Sequence, residues 1–149
     1  MAFEITQVLD IEAPVKVVWE VVTDLPCYGE WNPLQVSARS TLAPGDPIDM
    51  RVQIFELFTQ HQRETIFDCD PERTLAWGLS GGALGAVRSR RAHELEANGE
   101  ASTRYRSHFE LDGWLAPTTR RLLGSRLEAG FEAASLALKE RAETLATER

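Results

Sequence analysis

From Pro117 to about Leu145 the chain runs without a further breaking sequence. Leu123, Leu127, Phe131, Ala134, Leu138, Ala142 and Leu145 recur there at steps of three and four. That spacing predicts one helix of roughly 29 residues, about 43 Å long, with a single apolar stripe. A stripe of that length must be covered by an apolar surface of similar extent. The covering layer has to come from the residues before it.

Those residues read mostly as strands. Phe3, Ile5, Leu9 and Ile11 alternate with Glu4, Thr6, Asp10 and Glu12, with a break at Gln7 and Val8. Pro14 then opens a short helix, where its missing N–H costs nothing. Val15, Val18, Trp19 and Val22 follow at helical spacing, and "TDLP" closes the helix at Pro26. The connection "YGEWNPLQ", residues 28–35, places two aromatics beside each other. After it, Leu34, Val36 and Ala38 share a face, as do Ile48, Met50, Val52 and Ile54, with "APGDP" turning between them. Thr65, Phe67 and Cys69 form the next segment, and Leu75, Trp77 and Leu79 the one after. Residues 88–96 and 102–111 are strands joined at Asn98-Gly99, a hairpin signal. The order is strand, short helix, six strands, long helix. Tight turns between successive strands imply an antiparallel meander, one face of which receives the helix stripe. The fold class is α+β.

At 149 residues the chain is read as a single domain, 1–149. It can bury roughly 70% of its unfolded surface, so it needs no metal or disulfide to fold. Its net charge of −7 excludes a nucleic-acid backbone as the expected partner. Cys27 and Cys69 match no metal spacing and are expected reduced and interior. The start, "MAFEITQVLD", has neither a basic segment nor an apolar one, so no signal peptide is expected. No apolar run is long enough for a membrane span, and the expected location is cytoplasmic. The Gly-rich "SGGALGAV", 80–87, lacks the Lys-Ser/Thr pair of a phosphate cradle and is read as a loop. No cofactor motif is present. Three histidines on separate segments predict no metal site.

"APVKVVWEVVTD", "YGEWNP", "DPERTLAW", "AHELE" and "STRYRSHFELDG", in that order before a long helix, resemble the SRPBCC superfamily, the START and birch-pollen-allergen-like group, nearest its polyketide cyclase/dehydrase-like branch. The resemblance covers residues 5 to 145. It implies a helix-grip fold, a curved antiparallel sheet of about seven strands wrapped around the C-terminal helix and enclosing an apolar cavity. One or two short helices would follow the first strand, near the open end of the sheet. Tyr28, Trp31 and Pro33 would then cap the cavity, or Trp31 would plug the junction to the second strand. Many relatives place an acidic residue where this chain has Phe109.

Alternation sorts the last two strands by face. Ser89, Arg91, His93 and Leu95 are predicted to point inward, as are Thr103, Tyr105, Ser107, Phe109 and Leu111. Gln7 and Thr65 are placed with them, and His61 and His108 on the surface. A few polar groups converging in an apolar hollow describe a ligand site. The expected binding residues are Trp31, Trp77, His93, Tyr105, Ser107, Phe109, Leu127 and Phe131, and the expected ligand is a small apolar or aromatic molecule. Inward carboxylates for a paired acid and base are not seen. As an alternative, a cyclase or dehydratase would use His93 as acid or base, Arg91 to hold an anion and Tyr105 to orient. A protein-interaction module, the third reading, would show an exposed apolar patch.

Overall fold

The structure is a computed structural model and describes residues 3–149, Ala83 by its backbone alone. Strand β1 (Phe3–Ile11) leads to helix α1 (Val15–Thr23), a 3-10 turn (Leu25–Cys27) and the one-turn helix α2 (Tyr28–Trp31). Strands β2 (Gln35–Ser40), β3 (Pro47–Val52), β4 (Gln60–Asp70), β5 (Thr74–Gly78), β6 (Ser80–Gly81), β7 (Val87–Ala97) and β8 (Thr103–Asp112) follow, and helix α3 (Ala116–Glu148) closes the chain. All strands pair antiparallel, in the order β1-β8-β7-β5-β4-β3-β2, with the short β6 paired to β7. Seven long strands and one long helix are what the sequence periodicity predicts. The arrangement is a helix-grip.

β1 and β2 are the two edges of the sheet. The chain crosses between them through α1 and α2, which pack on α3. The stripe of α3 goes into the concave face. Leu127, Phe131, Ala134, Leu138 and Ala142 are buried, and Leu123 and Leu145 pack against the same core. Burying Leu127, Phe131 and Leu138 contributes roughly 2 kcal/mol each. At Gly130 the helix lies close against its neighbours, and a Cβ there would be 2.8 Å from Leu34 Cδ1.

The connection at 28–35 is a structural joint. The Tyr28 hydroxyl, wholly buried, donates to the Val22 carbonyl at 2.5 Å. The Asn32 side-chain oxygen accepts from the amides of Leu34 and Gln35, both at 2.9 Å, which turns the chain into β2.

One face assignment and one exposure are corrected. In β4 the residue turned into the core is Ile66, paired with Trp77, while Thr65 and Phe67 face the other way. A bulge between Ile66 and Asp68 then restores Cys69 to the side of Leu75. Thr65 is therefore not on the inner face. Gln60, Gln62 and Glu64 are. His108 lies on the outer face as expected but is 8% exposed, because Thr6, Arg106, Glu4 and Glu110 surround its ring. Both cysteines are free and half-buried. Among the described residues no helix is long and apolar enough to cross a membrane.

Candidate functional site

Between the sheet and the first half of α3 lies a cavity of about 330 Å³, open at one end. Volumes of ~300–1,000 Å³ are usual for small-molecule sites. Its position follows from the side chains. The stripe of α3 carries large residues at Leu123, Leu127 and Phe131, and the cavity lies between them and the ends of β3, β4 and β7. Trp77, Met50, Val52 and Phe109 from the sheet and Leu123, Leu127 and Phe131 from the helix give apolar walls. The two phenyl rings of Phe109 and Phe131 lie against each other, centroids 4.7 Å apart.

One wall is polar. Gln35, Gln60, Gln62, Glu64, Ser89 and Arg91 all reach it. Arg91 is 3% exposed. Its Nη1 donates to Ser107 Oγ at 2.6 Å and to the Ala92 carbonyl at 3.2 Å, and its guanidinium lies 4.8 Å from the centroid of the Phe131 ring. Its Nε has no partner, and no carboxylate among the described residues lies within ion-pair distance of it. A buried cation in that state lacks most of the compensation that its desolvation requires.

Glu64 stands on the same wall. Burial pushes its carboxyl up to about 7, opposed in part by a hydrogen bond from Ser89. Near neutrality the group is divided between acid and carboxylate, so the cavity offers a fixed cation and a carboxyl that exchanges a proton.

His93 and Tyr105 lie behind this wall. His93 Nδ1 and the Tyr105 hydroxyl are 2.6 Å apart, and both residues are buried. Burial, and next the charge of Arg91, hold the imidazole pKa well below its ordinary value, so His93 is neutral. With Tyr105 donating, Nε2 is left without a partner. The His93 ring also leans on Trp77, centroids 5.3 Å apart.

The structure thus brings Trp77, Phe109, Leu127, Phe131 and Arg91 to the cavity. It sets His93, Tyr105 and Ser107 as a buried layer supporting Arg91 and Trp77, not as cavity lining. Trp31 is elsewhere. It packs edge-on against Tyr28 at 5.2 Å and borders a small cleft with Cys27, Arg141 and Leu145, at the far end of α3. The short helices cover the C-terminal half of the long helix, whereas the cavity opens over its N-terminal half. The expected cap from Trp31 is therefore withdrawn. The residue that sequence reasoning missed is Glu64, and with it the neighbouring glutamines. β4 carries polar residues on both faces, "QHQRET", so alternation alone could not say which face turned inward. A second depression, on the outer face beside Glu72, Arg73, Glu94 and Arg104, is bordered largely by charged side chains.

A family model described as polyketide cyclase / dehydrase and lipid transport matches residues 2–143. Among solved structures, the chain is similar to the Zhui aromatase/cyclase from Streptomyces sp. R1128, at 18% identity and a TM-score of 0.75, covering 96% of this chain and 94% of that one. A START superfamily protein from Mycobacterium smegmatis is similar at 18% identity and a TM-score of 0.71, with 95% and 98% covered. Truncated norcoclaurine synthase from Thalictrum flavum is similar at 16% identity and a TM-score of 0.68, with 94% and 92% covered. At these identities the superpositions show a shared fold and nothing further. No curated protein sequence matches the chain.

Proposed function

The chain belongs to the polyketide cyclase/dehydrase and lipid transport family of the SRPBCC superfamily, and from that premise we propose that it binds a small apolar or aromatic molecule, bearing one anionic or carbonyl end, in the cavity between sheet and α3. The observation that carries this reading is Arg91, a buried guanidinium that lines an apolar cavity and has no carboxylate partner among the described residues. A ligand oxygen at that wall would supply the partner that the protein does not. The aromatic walls take the remainder of the molecule by burial of apolar area. Gln60 and Gln62 are placed to hydrogen-bond substituents nearer the opening. Trp77 reports the event, so a panel of aromatic carboxylic acids and phenolic ketones should change the tryptophan fluorescence. Leu127→Trp, which fills the cavity, should abolish the response. An unchanged response in Leu127→Trp would place binding elsewhere and overturn the reading.

A second reading, proton-transfer catalysis of the cyclase or dehydratase type, is favoured by Glu64. A carboxyl near 7 is matched to accepting and returning a proton at neutral pH. As carboxylate, Glu64 would take a proton from the carbon beside a ligand carbonyl. The C–H electrons would pass to the carbonyl oxygen, and Arg91 would hold the resulting enolate. His93, neutral and behind the wall, would position Arg91 and Trp77 in this scheme. Hydrogen–deuterium exchange at the α-carbon of a bound ketone, lost in Glu64→Gln with affinity retained, would establish the reading. Exchange at the wild-type rate in Glu64→Gln would remove it.

A further inference from the structure

The open end of the cavity is surrounded by three connections: residues 53–59 between β3 and β4, residues 79–86 between β5 and β7, and residues 113–115 between β8 and α3. Residues within or flanking each of them, Val52 and Gln60, Leu79 and Val87, and Leu111 and Thr119, line the cavity. The connections also touch one another and the helix. The Leu115 amide donates to the Ala86 carbonyl at 3.0 Å, and Arg126 on α3 lies 5.4 Å from the centre of the Phe55 ring.

This end carries much of the exposed large apolar surface of the described residues. Leu57 is 95% exposed, Leu84 is 94% exposed, and Phe58, Trp114 and Leu122 are exposed with them. Leu84 also holds a left-handed backbone, φ 55°, in a stretch where Gly81, Gly82 and Gly85 supply the other positive φ angles. A leucine there costs of order 1 kcal/mol relative to glycine, and its side chain makes no buried contact in return.

The charge is equally uneven. Residues 53–60, 79–90 and 112–126 contain five of the chain's 16 basic residues but only two of its 23 acidic ones, Glu56 and Asp112. Asp112 is paired with Arg88 at 3.1 Å. Arg90, Arg120, Arg121 and Arg126 make no ion pair with any described carboxylate, although the rest of the chain is strongly acidic. A cationic rim with separate apolar tips, on an otherwise anionic protein, is oriented by its own field toward a negative surface.

We propose that the mouth of the cavity docks on an anionic lipid bilayer, with Leu57, Leu84, Trp114 and Leu122 entering the interface and Arg90, Arg120, Arg121 and Arg126 meeting the lipid headgroups. A bilayer fits these features better than an acidic protein does. The apolar tips stand on separate connections around an opening, and a fluid interface accepts separated tips without a matching contour. Each arginine near an anionic leaflet strengthens binding roughly fivefold. An apolar ligand would pass between bilayer and cavity without crossing water. This goes beyond the ligand reading and does not depend on it.

The test is co-sedimentation of the full chain with phosphatidylcholine vesicles, with and without phosphatidylserine, at low and physiological salt. The expected result is binding only when phosphatidylserine is present, weakened by salt. Arg121→Gln with Arg126→Gln should weaken it roughly 25-fold, since about fivefold is lost per arginine. Leu57→Ser with Leu84→Ser, both at exposed positions, should abolish it while leaving the unfolding midpoint unchanged. Leu127→Trp should bind vesicles like wild type, which separates this surface from the cavity. Equal binding to both vesicle types, no binding to either, wild-type binding by the arginine pair variant, or retention of the chain by an acidic protein only would each overturn the proposal.

Discussion

Arg91 on β7 and Ser107 on β8 are joined by a 2.6 Å hydrogen bond from Nη1 to Oγ, and both are buried. Their strands run side by side, with Arg91 paired to Phe109 and His93 to Ser107. The serine is thus one register step from the arginine and fixes where the guanidinium sits. Ser107→Ala leaves a buried charged donor short of an acceptor, and should destabilise the fold by roughly 1–3 kcal/mol. Chemical denaturation measures this directly. A midpoint equal to that of wild type would show that Arg91 has another way to satisfy Nη1.

Glu64 and His93 give the stability opposite pH dependences. Glu64 has a folded pKa raised to about 7 from 4.5. Between those values the unfolded chain releases a proton that the folded one keeps, so stability falls as pH rises through this window. His93 has a folded pKa lowered well below 6.5. As pH falls below 6.5 the unfolded chain takes up a proton that the folded one refuses, so stability is lost in that direction. Glu64→Gln should flatten the decline toward pH 7, and His93→Gln should flatten the loss on the acid side. Melting temperatures across pH 4 to 8 (about the range set by the two ordinary values) would expose either slope. Unchanged slopes would contradict the burial of that side chain.

Three glycines separate space from strain. At Gly78 a Cβ would lie 1.8 Å from the Ser89 carbonyl oxygen, and at Gly113, φ 104°, it would lie 2.4 Å from that of Ala86. Backbone cannot yield as a side-chain tip does, so Gly78→Ala and Gly113→Ala should each cost several kcal/mol, of the order seen for overpacking or more. Gly124, in α3, has only ordinary contacts at 3.6 Å and beyond. Gly124→Ala should therefore stabilise by up to ~1 kcal/mol through helix propensity. Thermal melts of the three variants should move in these two directions.

The long helix is the second layer of the core. Removing residues 117–149 would uncover Trp77, Ile5 and the rest of the concave face, and the remainder should not fold cooperatively. A soluble truncation with a sharp unfolding transition would make α3 an appendage, against the packing of Leu127, Phe131 and Leu138.

The fold was legible because its signals are long and repeated. The stripe of α3, Leu123 to Leu145, spans about six turns, and β7 and β8 pair without a register break, so Arg91, His93, Tyr105 and Ser107 could be assigned to the buried side. β4 was not legible. Its residues 60–65 are polar on both faces, its apolar pair Phe67 and Cys69 lies across a bulge, and only the pairing of Ile66 with Trp77 decides the register. Glu64 was hidden by that ambiguity. Trp31 failed for another reason. Its partial burial was predictable, but which half of α3 the short helices cover is a tertiary choice that local periodicity does not encode.

The central claim is that Arg91 recognises the polar end of a ligand held by the aromatic walls. Calorimetric titration of an aromatic carboxylic acid and of its methyl ester, against wild type and Arg91→Met, tests it most directly. Wild type should prefer the acid by roughly tenfold or more, the scale of a charge-assisted hydrogen bond. In Arg91→Met the preference should vanish while the ester still binds. A preference for the acid that survives in Arg91→Met would contradict the account.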